Sequence, residues 1–190
     1  MVDKTNQKIS LEEFESMDKD SNYKMEYIDG YLLTSSNSSM THNKIVNRIN
    51  SSIDRYLLDK PCEVFSEQID VILGENRVKP DVFVVCRENG SFKKIGKSFL
   101  IIPKITFEVV FHSNTSLDTI TKMELYSRFG IEEYNLVYQE GLIQQYRLIT
   151  GAETKDYYLH EAYNKEDIYK SLVMENLQIE LKDIFYNLEF

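Results

Sequence analysis

The most constraining feature of the chain is Arg77-Val78-Lys79-Pro80-Asp81-Val82-Phe83-Val84-Val85. It holds a charged approach, a proline, one acidic residue and an apolar run rich in β-branched side chains. Such a run, bounded by loop-forming residues, reads as a buried strand. An aspartate at the mouth of a buried strand is unfavourable unless something compensates its charge. A metal ion, a lysine or backbone amides can each do so. A second stretch, Ile105-Thr106-Phe107-Glu108-Val109-Val110, carries its carboxylate inside the apolar run. Two strands that each bring one carboxylate to a shared region form a candidate divalent-cation site, because magnesium prefers oxygen ligands and usually takes one or two carboxylates. The plainer alternative is that Asp81 caps a turn and Glu108 is a salt-bridged interior residue.

The chain has 190 residues, enough for one domain over residues 1–190 with a sizeable core. Hydrophobic residues make up 42% and charged residues 28%, an ordinary globular balance rather than a disordered one. The net charge of −9 argues against a general nucleic-acid coat protein, which needs a basic footprint. It leaves room for DNA binding through a local basic face or through metal ions. Cys62 and Cys86 fall within or beside expected strands and read as small buried hydrophobes in a reducing compartment. No cysteine cluster has metal-type spacing. The first residues lack the apolar core of a signal peptide, and no run approaches a membrane span, so a cytoplasmic location is expected.

Ser10-Leu11-Glu12-Glu13 is a capping box that opens a short helix with Leu11, Phe14 and Met17 at helical spacing. Lys24 to Leu33 predicts a hairpin turning at Asp29-Gly30, with Glu26 among apolar neighbours before the turn. Taken alone, Glu26 reads as a half-exposed strand carboxylate. Ser35 to Ser39 is a polar loop. From about Met40 to Leu58, Ile45, Ile49, Ile53 and Leu57 make the apolar stripe of a long helix. His42 lies in its first turn, as a surface or capping residue, a phosphate contact or a group that orients a carboxylate. Cys62 to Leu73 alternates like one strand with an apolar face, antiparallel to the Asp81 strand. The loop from Glu88 to Ser98 carries Lys93, Lys94 and Lys97, either an ordinary solvated loop or a basic margin for a phosphodiester. Ser116 or Thr115 caps a helix that holds Ile120, Met123, Leu125, Tyr126 and Phe129 and stops at Gly130. Asp118 and Lys122 are spaced as a helical ion pair, and Lys122 can reach the carboxylates if this helix packs over the Glu108 strand. A second hairpin turns at Glu140-Gly141, a short strand follows at Tyr157 to His160, and the apolar tail at Ile179 to Phe185 docks back.

Several segments in this order resemble the Uma-type restriction endonuclease family, part of the PD-(D/E)XK nuclease superfamily. They are Glu26 to Gly30, Ser39 to His42, Lys79 to Val85, Glu108 to Val110, Asp118 and Lys122, Tyr126, Gly130 and Glu133-Tyr134. The resemblance spans roughly residues 10 to 150, and its force lies in order and spacing rather than in any single motif. It implies an α/β (α+β), restriction-endonuclease-like fold, with a central mixed sheet flanked by helices and acidic residues gathered at one sheet end. It implies Asp81 and Glu108 as metal ligands, Glu26 as a further acidic residue of the site and His42 as a neighbour on the substrate side.

The superfamily's usual lysine lies two residues after the glutamate, where this chain has Val110; in the family the role passes to a lysine on the next helix, which Lys122 matches. Phe111-His112 stands where the family usually has Ser-Pro, and Asn135 where it has Trp. The resemblance further implies Mg²⁺ as cofactor with Mn²⁺ as a substitute, DNA as substrate, and a homodimer for cutting two strands. Two other readings stand beside it. One is a non-catalytic binding or scaffold module on the same fold. The other is a small hydrolase using His42, for which no serine or cysteine nucleophile motif is present.

Overall fold

The structure is a computed structural model that describes the chain apart from residues 1, 5–6, 20, 22, 36–38, 68, 111–116, 152–153 and 189–190. It opens with β1 (Val2–Lys4), α1 (Leu11–Lys19), β2 (Lys24–Ile28), β3 (Tyr31–Ser35) and α2 (Met40–Leu57). The middle holds β4 (Cys62–Ser66), β5 (Val71–Leu73), β6 (Asn76–Val78), β7 (Val82–Cys86), β8 (Lys94–Ile95), β9 (Ser98–Phe99) and β10 (Ile105–Val110). The rest comprises α3 (Leu117–Phe129), β11 (Glu133–Tyr138), β12 (Leu142–Thr150), β13 (Lys155–Asn164), β14 (Ile168–Lys170), β15 (Gln178–Glu180) and α4 (Leu181–Phe185).

The strands form one sheet in the order β1-β3-β2-β6-β5-β9-β8, a second in the order β13-β12-β11-β10-β7-β4, and the ribbon β14-β15. The second sheet is mixed: β10 and β11, joined through α3, run parallel, and its other pairs are antiparallel. One face of this sheet (Val82, Val84, Ile105, Phe107, Val109) packs with the α2 stripe Ile45, Ile49, Ile53 and Leu57 and with the tail residues Ile179, Leu181 and Ile184. The other face (Phe83, Val85, Leu136) packs with Leu125 and Tyr126 of α3 and with Ile28, Leu33, Val71 and Val78 of the first sheet. Two apolar faces on one sheet explain why β7 and β10 read as continuous hydrophobic runs. Each fully buried aliphatic side chain of the stripe contributes about 2 kcal/mol.

Local signals act as expected. The Ser10 hydroxyl accepts the Glu13 amide at 3.2 Å and Glu13 accepts the Ser10 amide at 2.7 Å, closing the capping box. Asp29 and Gly30 both have positive φ, 51° and 90°, as a two-residue hairpin turn requires. Gly130 ends α3 with φ +85° and its amide on the Tyr126 carbonyl at 3.0 Å. The expected cap at Ser116 or Thr115, most of the Ser35 to Ser39 loop and the Phe111-His112 change lie outside the described residues, as does the side chain of Asp118. Among the described residues no helix is long and apolar enough to cross a membrane.

Two expectations are corrected. Cys62 to Leu73 is not one strand: β4 pairs with β7, while β5 belongs to the other sheet. The break falls at Glu67, whose φ of +45° takes it out of the extended region. The cysteines are not free thiols. The β4–β7 register sets Cys62 directly opposite Cys86, with Cα atoms 3.9 Å apart, and they form a disulfide. The reducing compartment inferred from free thiols therefore loses its basis. The bond closes a 24-residue separation, and a cross-link of this span is worth about 3 kcal/mol in the chain-entropy account. Converting both cysteines to alanine is expected to lower the unfolding free energy by about that amount in a urea titration under non-reducing conditions.

Candidate active site

Strand register places the two carboxylates together. β7 and β10 pair as Phe107↔Val82 and Thr106↔Phe83. One further step sets Glu108 opposite Asp81, and opposed residues project from the same face. Each of the two is only 5% exposed. Asp81 Oδ1 accepts from Lys24 Nζ at 2.6 Å, and Oδ2 accepts from the Val109 amide at 2.8 Å and faces His42 Nε2 at 3.1 Å. Of the three compensations open to this aspartate, a lysine and a backbone amide are both present.

Glu108 is met from α3. Its Oε2 accepts from Lys122 Nζ at 3.1 Å and its Oε1 from the Tyr126 hydroxyl at 2.7 Å. Lys122 and Tyr126 are one helical turn apart and so share a face. The same ammonium reaches Glu26 Oε2 at 2.8 Å, while Glu26 Oε1 accepts the Lys79 amide at 2.7 Å. Glu26 is thus a fully buried member of the cluster, not a half-exposed strand residue. Val110, where the superfamily's lysine stands, ends β10 and offers no amine; the one beside Glu108 comes from α3 instead.

His42 is delivered by the N-terminus of α2. Ser39 is the N-cap and its side chain accepts the His42 amide at 3.1 Å, which fixes the first turn. The imidazole then lies between two carboxylates, with Nε2 near Asp81 and Nδ1 3.6 Å from Glu67 Oε1. Glu67 is held there by its own backbone: its amide points at the carbonyls of Pro80 and Asp81, at 3.2 and 3.3 Å. His42, Glu67 and Asp81 present ligand atoms that all lie within 4.8 Å of one another, a donor set of two carboxylates and an imidazole that suits a divalent cation.

The electrostatics separate the two central acids. Burial would raise Asp81, but Lys24 beside it, with His42 and Lys122, more than offsets this and holds it well below the usual carboxylate range. Burial raises Glu108 to about 7 despite Lys122, and the neighbouring Asp81 charge adds to the rise. Burial would lower Lys24, but the Asp81 charge more than offsets this and raises it. The Tyr126 hydroxyl is pushed well above its ordinary value by burial and by Glu108.

The structure thus brings Asp81, Glu108, Glu26, Lys122 and His42 into one cluster. Sequence reasoning passed over Lys24, Glu67 and Tyr126. Lys24 had a signal: it sits two residues before Glu26, so strand alternation sends both to one side. Tyr126 had one too, a turn after Lys122. Glu67 had none, because its placement depends on the strand break. The lysines of the 88–98 loop are exposed, and that loop leaves β7 at the end away from Asp81.

The family model Uma2, described as "Putative restriction endonuclease", matches residues 11–182. No curated protein matches the chain. Among solved structures, a crystal structure of "a putative nuclease belonging to DUF820" from Anabaena variabilis is similar, with a TM-score of 0.71 at 20% identity. The alignment covers 93% of this chain and 97% of that one. At this identity the likeness establishes the fold, the mixed α+β architecture expected from the resemblance. With the match running over nearly its whole length, the chain belongs to the Uma2 family.

Proposed function

We propose that this protein is a metal-dependent endonuclease that hydrolyses DNA phosphodiester bonds at the Asp81–Glu108 site. The observation that carries the reading is the convergence of two opposed strand carboxylates with the Lys122 ammonium in a buried cluster. Asp81 and Glu108 hold the cation, Mg²⁺ or Mn²⁺. When bound, that ion supplies Lewis acidity toward a phosphate oxygen and lowers the pKa of water. Lys122, fixed from both sides by Glu26 and Glu108, steadies the charge that develops on the phosphate and orients the attacking water. Glu26 holds that ammonium in place and adds a further acceptor. Lys24, more exposed than Lys122, turns from Asp81 to the incoming phosphate, and His42 contacts the substrate beside it. A homodimer would place two such sites on a duplex, so that both strands are cut in one encounter.

The test is nicking of plasmid and cleavage of single-stranded DNA with Mg²⁺ or Mn²⁺, with calorimetry of the metal on the same sample. Cleavage that needs the ion and stops with a chelator is the expected result. A second reading rests on one observation: Lys24 and Lys122 already compensate Asp81, Glu108 and Glu26 without a cation. That is what a catalytically silent binding module on this fold requires. A folded sample that binds neither ion and cleaves nothing would decide for that module.

The pH dependence follows from Glu108. Its proton is held up to about pH 7, so cation uptake must displace it. Apparent metal affinity is expected to be full above pH 7 and to fall about tenfold per unit below it, with proton release on binding. In the metal-free protein the sign is opposite. The stability due to neutral Glu108 is fully present below its unfolded value of 4.5 and is lost as pH rises through about 7. Asp81 is shifted the other way, so its contribution stays constant across that window and fades only in acid. Calorimetric titration in two buffers of different ionisation enthalpy measures the released proton.

A further inference from the structure

We propose a second cation seat beside the first, formed by His42 Nδ1 and the Glu67 carboxylate with Asp81 orienting the imidazole from its other nitrogen, that takes an imidazole-accepting transition ion such as Zn²⁺ in preference to Mg²⁺. The inference rests on the nuclease reading only in that Asp81, a ligand of the first seat, orients the histidine of the second.

His42 Nδ1 is buried and has no hydrogen-bond partner among the described residues. A buried ring nitrogen without a hydrogen bond is uncommon and calls for an explanation. Its neighbour Glu67 Oε1 is 3.6 Å away, too far for a hydrogen bond. That separation suits two ligands of one ion: donors about 2.1 Å from a tetrahedral ion stand about 3.4 Å apart. On the other side of the ring, Nε2 faces Asp81 Oδ2 at 3.1 Å, the arrangement by which a carboxylate orients a ligating histidine. Asp81 in turn is fixed by the Val109 amide, and Glu67 by the backbone at residues 80 and 81. The imidazole and the backbone that carries Glu67 are therefore set before any ion arrives, which limits the rearrangement that binding requires.

The donor set also distinguishes the two seats. Asp81 and Glu108 offer oxygen alone, the preference of Mg²⁺. A seat with an imidazole favours Zn²⁺ or Ni²⁺, which take nitrogen readily. The side chains of His42 and Glu67 are 12% and 21% exposed, so the second seat is open enough for an ion to enter from solvent.

Zn²⁺ titration by calorimetry in excess Mg²⁺ tests the proposal. The wild-type protein is expected to take up one Zn²⁺ that Mg²⁺ does not displace. Glu67→Gln and His42→Gln are each expected to weaken it by about tenfold or more, with Mg²⁺ binding retained. Nitrogen NMR of the wild-type histidine rings adds a second readout: Zn²⁺ should shift the His42 Nδ1 resonance, identified by its loss in His42→Gln. Mg²⁺ binding without a Zn²⁺ that depends on Glu67, or without a shift at His42, overturns the second seat and leaves the nuclease reading standing. A protein that binds neither ion overturns both.

Discussion

Asp81→Asn is expected to lower metal-dependent DNA cleavage by about a thousandfold or more, since a catalytic cation supplies several kcal/mol and each 1.36 kcal/mol is a factor of ten. The size of the effect follows from how much one side chain holds. Asp81 is the acid kept ionised at neutral pH, with Lys24, the Val109 amide and His42 gathered on its two oxygens. Asparagine keeps the shape and can still accept the Val109 amide. It removes the charge that attracts a cation and leaves Lys24, partly open to solvent, without its counter-ion. The variant is expected to fold with a lowered thermal midpoint, because the ion pair with Lys24 is lost, and with a lost heat of metal binding. Glu108→Gln should behave alike. Cleavage by either variant at the wild-type rate would remove that residue from the machinery.

Glu133→Ala should be the most destabilising single substitution away from the site, at about 3–5 kcal/mol, the range for breaking a buried charged network from one side. Glu133 is wholly buried at the start of β11. Its Oε1 accepts from the Tyr169 hydroxyl, from Gln145 Nε2 at 3.0 Å and from Asn135 Nδ2 at 3.4 Å. Its Oε2 accepts from Ser171 Oγ at 2.8 Å and from the amides of Leu172 and Val173 at 2.7 and 3.2 Å. One carboxylate thus ties the segment after β14 to the central sheet. Alanine leaves that ring of donors buried and unmatched, against a total stability of about 5–15 kcal/mol for a typical domain. Urea unfolding measures the loss; a midpoint within error of the wild type would show that the ring is not a structural tie. Glu133 pairs with Ile105, three residues along β10 from Glu108, so metal binding by the folded fraction should persist.

Much of this protein could be read in one dimension. The alternation and β-branched runs marked β7 and β10, and the 3.6-residue stripe marked α2, because burial periodicity is a local property of the chain. The order of short acidic and lysine motifs pointed to the family for the same reason. What could not be read was register. Two cysteines 24 residues apart become a bonded pair only when β4 and β7 align Cys62 with Cys86. Glu67 turns toward His42 only because the chain leaves one sheet there to enter the other. Lys24 meets Asp81 across 57 positions, a separation no periodicity records. The chain alone determined which residues carry charge into apolar strands. Only the tertiary structure decided which opposite charges, amides and ring nitrogens answer them, because a buried charge is matched by whatever the fold brings within about 3 Å of it.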